Sequence, residues 1–83
     1  MPIFCVERLF SPPISEAQFA AAGAALAPCI QERDIKHLGS YFAADGSRSV
    51  CTYEASDAER VREANRTAGA PFERVWLAHK LGG

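Results

Sequence analysis

The sequence predicts an α+β domain, a four-stranded antiparallel sheet with two helices packed on one face. Three observations carry this reading. Ser15 with Gln18, and Ser56 with Glu59, repeat the serine-to-Glu/Gln spacing of a capped helix start. Asp45-Gly46 stands between two strand-like runs, a strong signal of a tight β-hairpin. The chain has 83 residues, enough for one core only, so residues 1–83 are read as a single domain.

Taken in order, residues 2–9 alternate and carry Ile3, Phe4 and Val6, which suits a strand, and Ser11-Pro12-Pro13 breaks it. Beyond Ser15, the residues Phe19, Ala22, Gly23, Leu26 and Ile30 recur at helical spacing and form an apolar stripe. Ile30 is still in phase, so the helix is expected to pass through Pro28 with a kink and end near Arg33; a stop at Ala27 is the alternative. Residues 36–43 and 48–55 are the arms of the hairpin. Ser56 opens a second helix with Val61, Ala64 and Ala68 inward, and Gly69 and Pro71 end it. Residues 72–79 form the last strand. This βαββαβ order is the ferredoxin-like arrangement, and right-handed crossovers bring the first and third strands to the sheet centre.

The hairpin tip sets the faces. With Asp45-Gly46 at the turn, His37 is expected opposite Glu54, Ser40 opposite Cys51, and Tyr41 opposite Val50. Leu38, Phe42, Cys51 and Tyr53 then join Phe4, Val6, Val75 and Leu77 beneath the helices. The other face receives Ile3, Cys5, Glu7, His37, Tyr41, Val50, Thr52, Glu54 and Trp76. No helix remains to cover it. A mixed apolar patch of this kind marks an interface. A chain this short also buries only about 60% of its unfolded surface. Sheet-to-sheet homodimerisation is therefore the expected partnership.

Composition removes other partners. Nine basic against ten acidic side chains argue against a nucleic-acid binder, and Arg60, Arg62 and Arg66 are offset by Glu59 and Glu63. No apolar run approaches the roughly 18 residues of a membrane span. Cys5, Cys29 and Cys51 make an odd set without a zinc spacing, and no secretory leader is visible. Both features suit reduced thiols in the cytoplasm.

The candidate chemistry lies among Glu7, His37 and Glu54. They are expected to converge at one end of the sheet, with Glu54 beside both others and His79 at the same edge. Carboxylates held close raise one another's pKa unless a cation intervenes, and imidazole with carboxylate suits nickel, zinc or manganese-type ions. A structural His37–Glu54 pair beside a solvated Glu7 accounts for the same residues. Cys5 and Cys51 have no adjacent base and read as inert core thiols. No motif indicates an organic cofactor.

Four stretches resemble a known family: Val6-Glu7-Arg8, Cys51-Thr52-Tyr53-Glu54-Ala55, Val61-Arg62-Glu63-Ala64-Asn65, and Ala68-Gly69-Ala70-Pro71-Phe72-Glu73-Arg74-Val75. They are similar to the signatures of a small bacterial ferredoxin-like domain of unknown function, known as the nickel-binding protein family. The similarity runs over nearly the whole chain. It implies a dimeric α/β barrel and nickel binding without an established reaction. Glu7 and Glu54 lie inside the matching stretches, whereas His37 and Gly39 stand where relatives carry an aromatic residue and an arginine.

The expectation is a cytoplasmic homodimer that holds Ni(II) or another divalent metal at Glu7, His37 and Glu54. Cys5, Tyr41, Val50 and Trp76 would line its pocket or dimer face. The alternative is a dimeric α/β-barrel enzyme of the cofactor-free monooxygenase type, with a small organic substrate in a pocket lined by Tyr41, Val50 and Trp76.

Overall fold

The computed structural model describes residues 1–82. The elements follow the expected order: β1 (Ile3–Leu9), α1 (Glu16–Gln31), β2 (Lys36–Phe42), β3 (Arg48–Glu54), α2 (Ala58–Thr67) and β4 (Arg74–Ala78). All four strands join one antiparallel sheet in the order β2-β3-β1-β4, with β1 and β3 central. This is the ferredoxin-like α+β fold.

Local chemistry explains where the helices begin. Gln18 donates its backbone N–H to Ser15 Oγ at 3.1 Å, and Ser15 donates its own N–H to Gln18 Oε1 at 2.8 Å. That reciprocal pair satisfies two otherwise orphaned donors at the first turn of α1. Ser15→Ala should therefore cost about 1 kcal/mol, seen as a lower urea midpoint with an unchanged slope. At α2 the cap is Asp57 rather than Ser56. Arg60 donates its N–H to Asp57 Oδ1 at 2.8 Å, while Ser56 Oγ donates to the other carboxylate oxygen at 3.2 Å. A charged acceptor makes the stronger cap, so the start lies one residue later than the Ser-x-x-Glu spacing suggested.

Helix α1 runs through Pro28 to Gln31, as the phase of Ile30 required. Pro28 removes one helical hydrogen bond, but Leu26 and Ile30, buried on either side of it, hold the turn against the sheet. The chain then reverses at Asp34, whose φ is +54°, and Ile35 donates its N–H to the Ile30 carbonyl at 2.9 Å.

The core lies between the sheet and the helices. Phe4, Val6, Cys51, Tyr53 and Val75 rise from the strands to meet Leu26 and Ile30 of α1 and Val61 and Ala64 of α2. Leu77, expected in this layer, is exposed because it sits near the end of the edge strand β4. Phe19 stacks on Phe42 at 4.6 Å between ring centroids, with Phe10 edge-on to Phe19 at 6.1 Å.

The hairpin confirms one half of the expected register and breaks the other. Ala43 donates to the Arg48 carbonyl at 2.9 Å, and Asp45 Oδ1 accepts from both the N–H and the hydroxyl of Ser47. Phe42, Tyr41, Ser40 and Gly39 pair with Ser49, Val50, Cys51 and Thr52 as expected. Between Gly39 and His37 the register then shifts by one residue, a bulge at Leu38. His37 now pairs with Tyr53, and Lys36 with Glu54. Because side chains alternate faces, one extra residue carries His37 from the open face to the helix face. Leu38, expected in the core, is 42% exposed.

Candidate functional site

The expected convergence of Glu7, His37 and Glu54 does not form within one chain. β1 and β3 run antiparallel, so the end of one lies beside the start of the other. Glu7 pairs with Val50 and with Arg74, whereas Glu54 pairs with Ile3 and Lys36. The offset from Ile3 to Glu7 is four residues along β1, or about 13 Å at the usual strand rise. The bulge removes His37 as well. Its Nε2 lies 2.8 Å from Ser40 Oγ, and its ring centroid is 5.1 Å from that of Tyr53 on the helix side. His79 follows Ala78, the partner of Ile3, and so belongs at the Glu54 end of the sheet. Among the described residues no group of three or more His, Cys, Asp or Glu side chains is placed to hold a metal ion. The donors of a single chain therefore do not fit a metal.

Glu7 is instead engaged by its own sheet. Trp76 donates its indole N–H to Glu7 Oε2 at 2.6 Å, and Arg74 Nε stands 3.5 Å from the same oxygen. Antiparallel pairing causes this arrangement: Arg74 is the direct partner of Glu7, and Trp76 is its diagonal neighbour on the same face. Cys5 lies between Trp76 and Thr52 in the register and is buried. Burial pushes its thiol above the usual range, and the charge of Glu7 adds to the effect. Little thiolate then exists near neutral pH, in keeping with an inert Cys5.

The rest of the open face matches expectation. Ile3, Cys5, Glu7, Val50, Thr52 and Glu54 form its middle, with Tyr41 81% exposed and Trp76 42% exposed at its flanks. Both helices pack on the opposite side, against the buried set described above.

A large cleft lies on the other side of the sheet. With a volume of about 1240 Å³, it opens between α1 and the sheet, bordered by Arg8, Phe19, Gly23, His37, Phe42 and Tyr53. Tyr41, Val50 and Trp76 do not line it, so it is not the pocket that the monooxygenase alternative expects.

Arg8 is the residue that the sequence reading overlooked. Its parity with Phe4 and Val6 was the available signal, since alternate residues of a strand share a face. Only 7% exposed, it donates from Nη2 to Asn65 Oδ1 at 2.7 Å and from Nη1 to the Pro71 carbonyl at 2.9 Å. Asn65 in turn donates to the Val61 carbonyl at 2.8 Å. Beside it, burial pushes the Tyr53 phenol up to about 12, with Cys51 adding and the Arg8 charge opposing. The unfolded value is about 10, so the contribution of neutral Tyr53 is complete below pH ~10 and lost as pH rises through ~12. Between those limits the wild type should lose about 2–3 kcal/mol more than Tyr53→Phe, measured by urea unfolding at each pH.

No curated protein matches the chain. The crystal structure of SCO4226 from Streptomyces coelicolor A3(2) superposes with a TM-score of 0.86, covering 96% of this chain and 99% of that one at 15% identity. At that identity the likeness establishes the fold and not the site. Residues 4–77 match the family described as nickel responsive protein SCO4226-like. With nearly its whole length matched, the chain belongs to the SCO4226-like family of nickel responsive proteins.

Proposed function

We propose that this protein is a nickel-binding homodimer, paired through its open sheet face, whose metal is held between copies. The observation that carries the reading is the family match over residues 4–77. Two features support it. Tyr41 and Trp76 stand exposed around a carboxylate-bearing sheet face on the side away from the helices. Among the described residues the donors of one chain are too dispersed to form a site, so a second copy would have to complete it. Glu7 and Glu54 are the carboxylates of that face and the first ligands to examine. A cytoplasmic setting belongs to the same reading, because all three cysteines are free thiols.

The test uses protein purified without a metal-affinity tag. Light scattering should give a dimer mass, and calorimetry should show saturable Ni(II) binding weakened at least about tenfold by Glu7→Gln or Glu54→Gln. Tyr41→Asp should shift the protein toward monomer, since an interface core tolerates an unpaired charge poorly. Nickel bound equally well by a monomer would overturn a site between copies. A wild type that takes up no nickel would overturn the nickel reading itself.

A further inference from the structure

We propose a second site: the cleft between α1 and the sheet binds a small organic monocarboxylate, its apolar body against α1 and its carboxylate on Arg8. It lies on the opposite face of the sheet from the proposed metal site and does not depend on it.

The first observation is an unneutralised buried charge. Arg8 borders the cleft, yet among the described residues none of its contacts is a carboxylate. It donates to the neutral oxygens of Asn65 and Pro71, and the neutral Tyr53 phenol also lies beside it. A guanidinium carries five N–H donors, so donors remain, and a buried cation without a counter-ion is costly. An anion arriving from solution would relieve that cost and accept those donors in the paired geometry that arginine offers a carboxylate.

The second observation is independent of charge. Ser49, the cross-strand partner of Arg8, lies behind the cleft lining and is only 2% exposed, and among the described residues its hydroxyl has no hydrogen-bond partner. Two polar groups with unmet hydrogen-bonding capacity therefore adjoin one another at the floor of the helix face. Such groups are rare in a folded interior and ask for an explanation.

The remainder of the cleft selects the ligand's body. Phe10, Phe19 and Phe42 cluster along one side, while α1 contributes Ala22, Gly23 and Ala27. A Cβ added at Gly23 would meet nothing within 4 Å, so the roof is open there. Small-molecule sites commonly enclose about 300–1,000 Å³, and this cleft, at about 1240 Å³, is larger and has room for such a ligand. Lys36, Glu16 and Asp45 also border the cleft but are exposed, which leaves Arg8 as the buried charge in mostly apolar walls; that arrangement suits a monocarboxylate with a hydrocarbon or aryl body. It does not suit a polyphosphate, which needs several cations, or a metal ion, which Arg8 would repel.

Octanoate and 1-octanol, matched in length and differing in charge, are the probes. Titrations followed by amide ¹H–¹⁵N spectra should show saturable octanoate shifts at Gly23, Ala27 and the Arg8 Nε–H. Octanol should bind at least about tenfold more weakly. Gly23→Leu should fill the cleft and abolish octanoate binding while leaving the melting transition cooperative. Arg8→Lys, which keeps the charge but loses the fork, should weaken octanoate about tenfold. If Arg8→Lys fails to fold, the acid-to-alcohol ratio and Gly23→Leu still decide the question. Equal binding of acid and alcohol, octanoate binding that survives Gly23→Leu, shifts confined to the open face, or no saturable shift would each overturn the proposal.

Discussion

Arg8→Met should destabilise the fold by about 2–4 kcal/mol, although the replacement keeps an apolar stem of similar length. The loss arises because Arg8 ties β1 to α2 and to the connection that follows it. Its guanidinium serves Asn65 Oδ1 at 2.7 Å and the Pro71 carbonyl at 2.9 Å. Methionine would leave both oxygens without that donor, and a buried acceptor without one costs about 1–3 kcal/mol. Asn65 is itself fully buried, so water cannot readily substitute. The combination Arg8→Met with Asn65→Leu removes one of the orphaned acceptors. It should therefore be less damaging than the sum of the single changes, by about 1–2 kcal/mol in a double-mutant cycle of urea midpoints. A single-mutant loss below about 0.5 kcal/mol would mean that the bridge does not hold these elements together.

Gly46→Ala should cost a similar amount, about 2–4 kcal/mol, for a different reason. Gly46 has φ of +76°, where a side chain is strained, and its carbonyl accepts the Ile14 N–H at 3.0 Å. The hairpin loop is thereby docked on the segment that leads into α1. A Cβ at Gly46 would be driven into the backbone carbonyl of Ile14, which cannot swing aside as a flexible side chain could. Gly69 provides the control. Its φ is +67°, but an added Cβ would meet nothing within 4 Å. Gly69→Ala should then cost only about 1 kcal/mol, the conformational part alone. Thermal melts of the two variants separate strain from collision; equal losses would show that the Ile14 contact yields freely.

Much of the fold was legible because its signals are local. The capping residues of α1 act within four positions, and the hydrogen bonds of the Asp45–Ser47 turn span two. Likewise Ile30 keeps its phase past Pro28, so the helix does too. Near the loop the register follows directly from the turn, and most of the open face, from Cys5 to Trp76, was placed by alternation alone. The separation of Glu7 from Glu54 also follows from connectivity, because a hairpin returns β3 antiparallel to β2 and hence to β1. Adjacent antiparallel strands end at opposite edges, which dissolves the expected cluster.

The amino-acid sequence by itself therefore determined the order of elements, the choice of hairpin and the ferredoxin-like topology, since caps, turns and periodicity are short-range effects. Only the tertiary structure decided which face His37 takes and what Arg8 does. The bulge at Leu38 has only one weak local cue, the strand-interior Gly39 beside it, yet it shifts every residue before it by one place in an alternating pattern. The burial of Arg8 depends on Asn65 and Pro71, 57 and 63 residues away along the chain, meeting its guanidinium in space. No window of sequence contains that encounter.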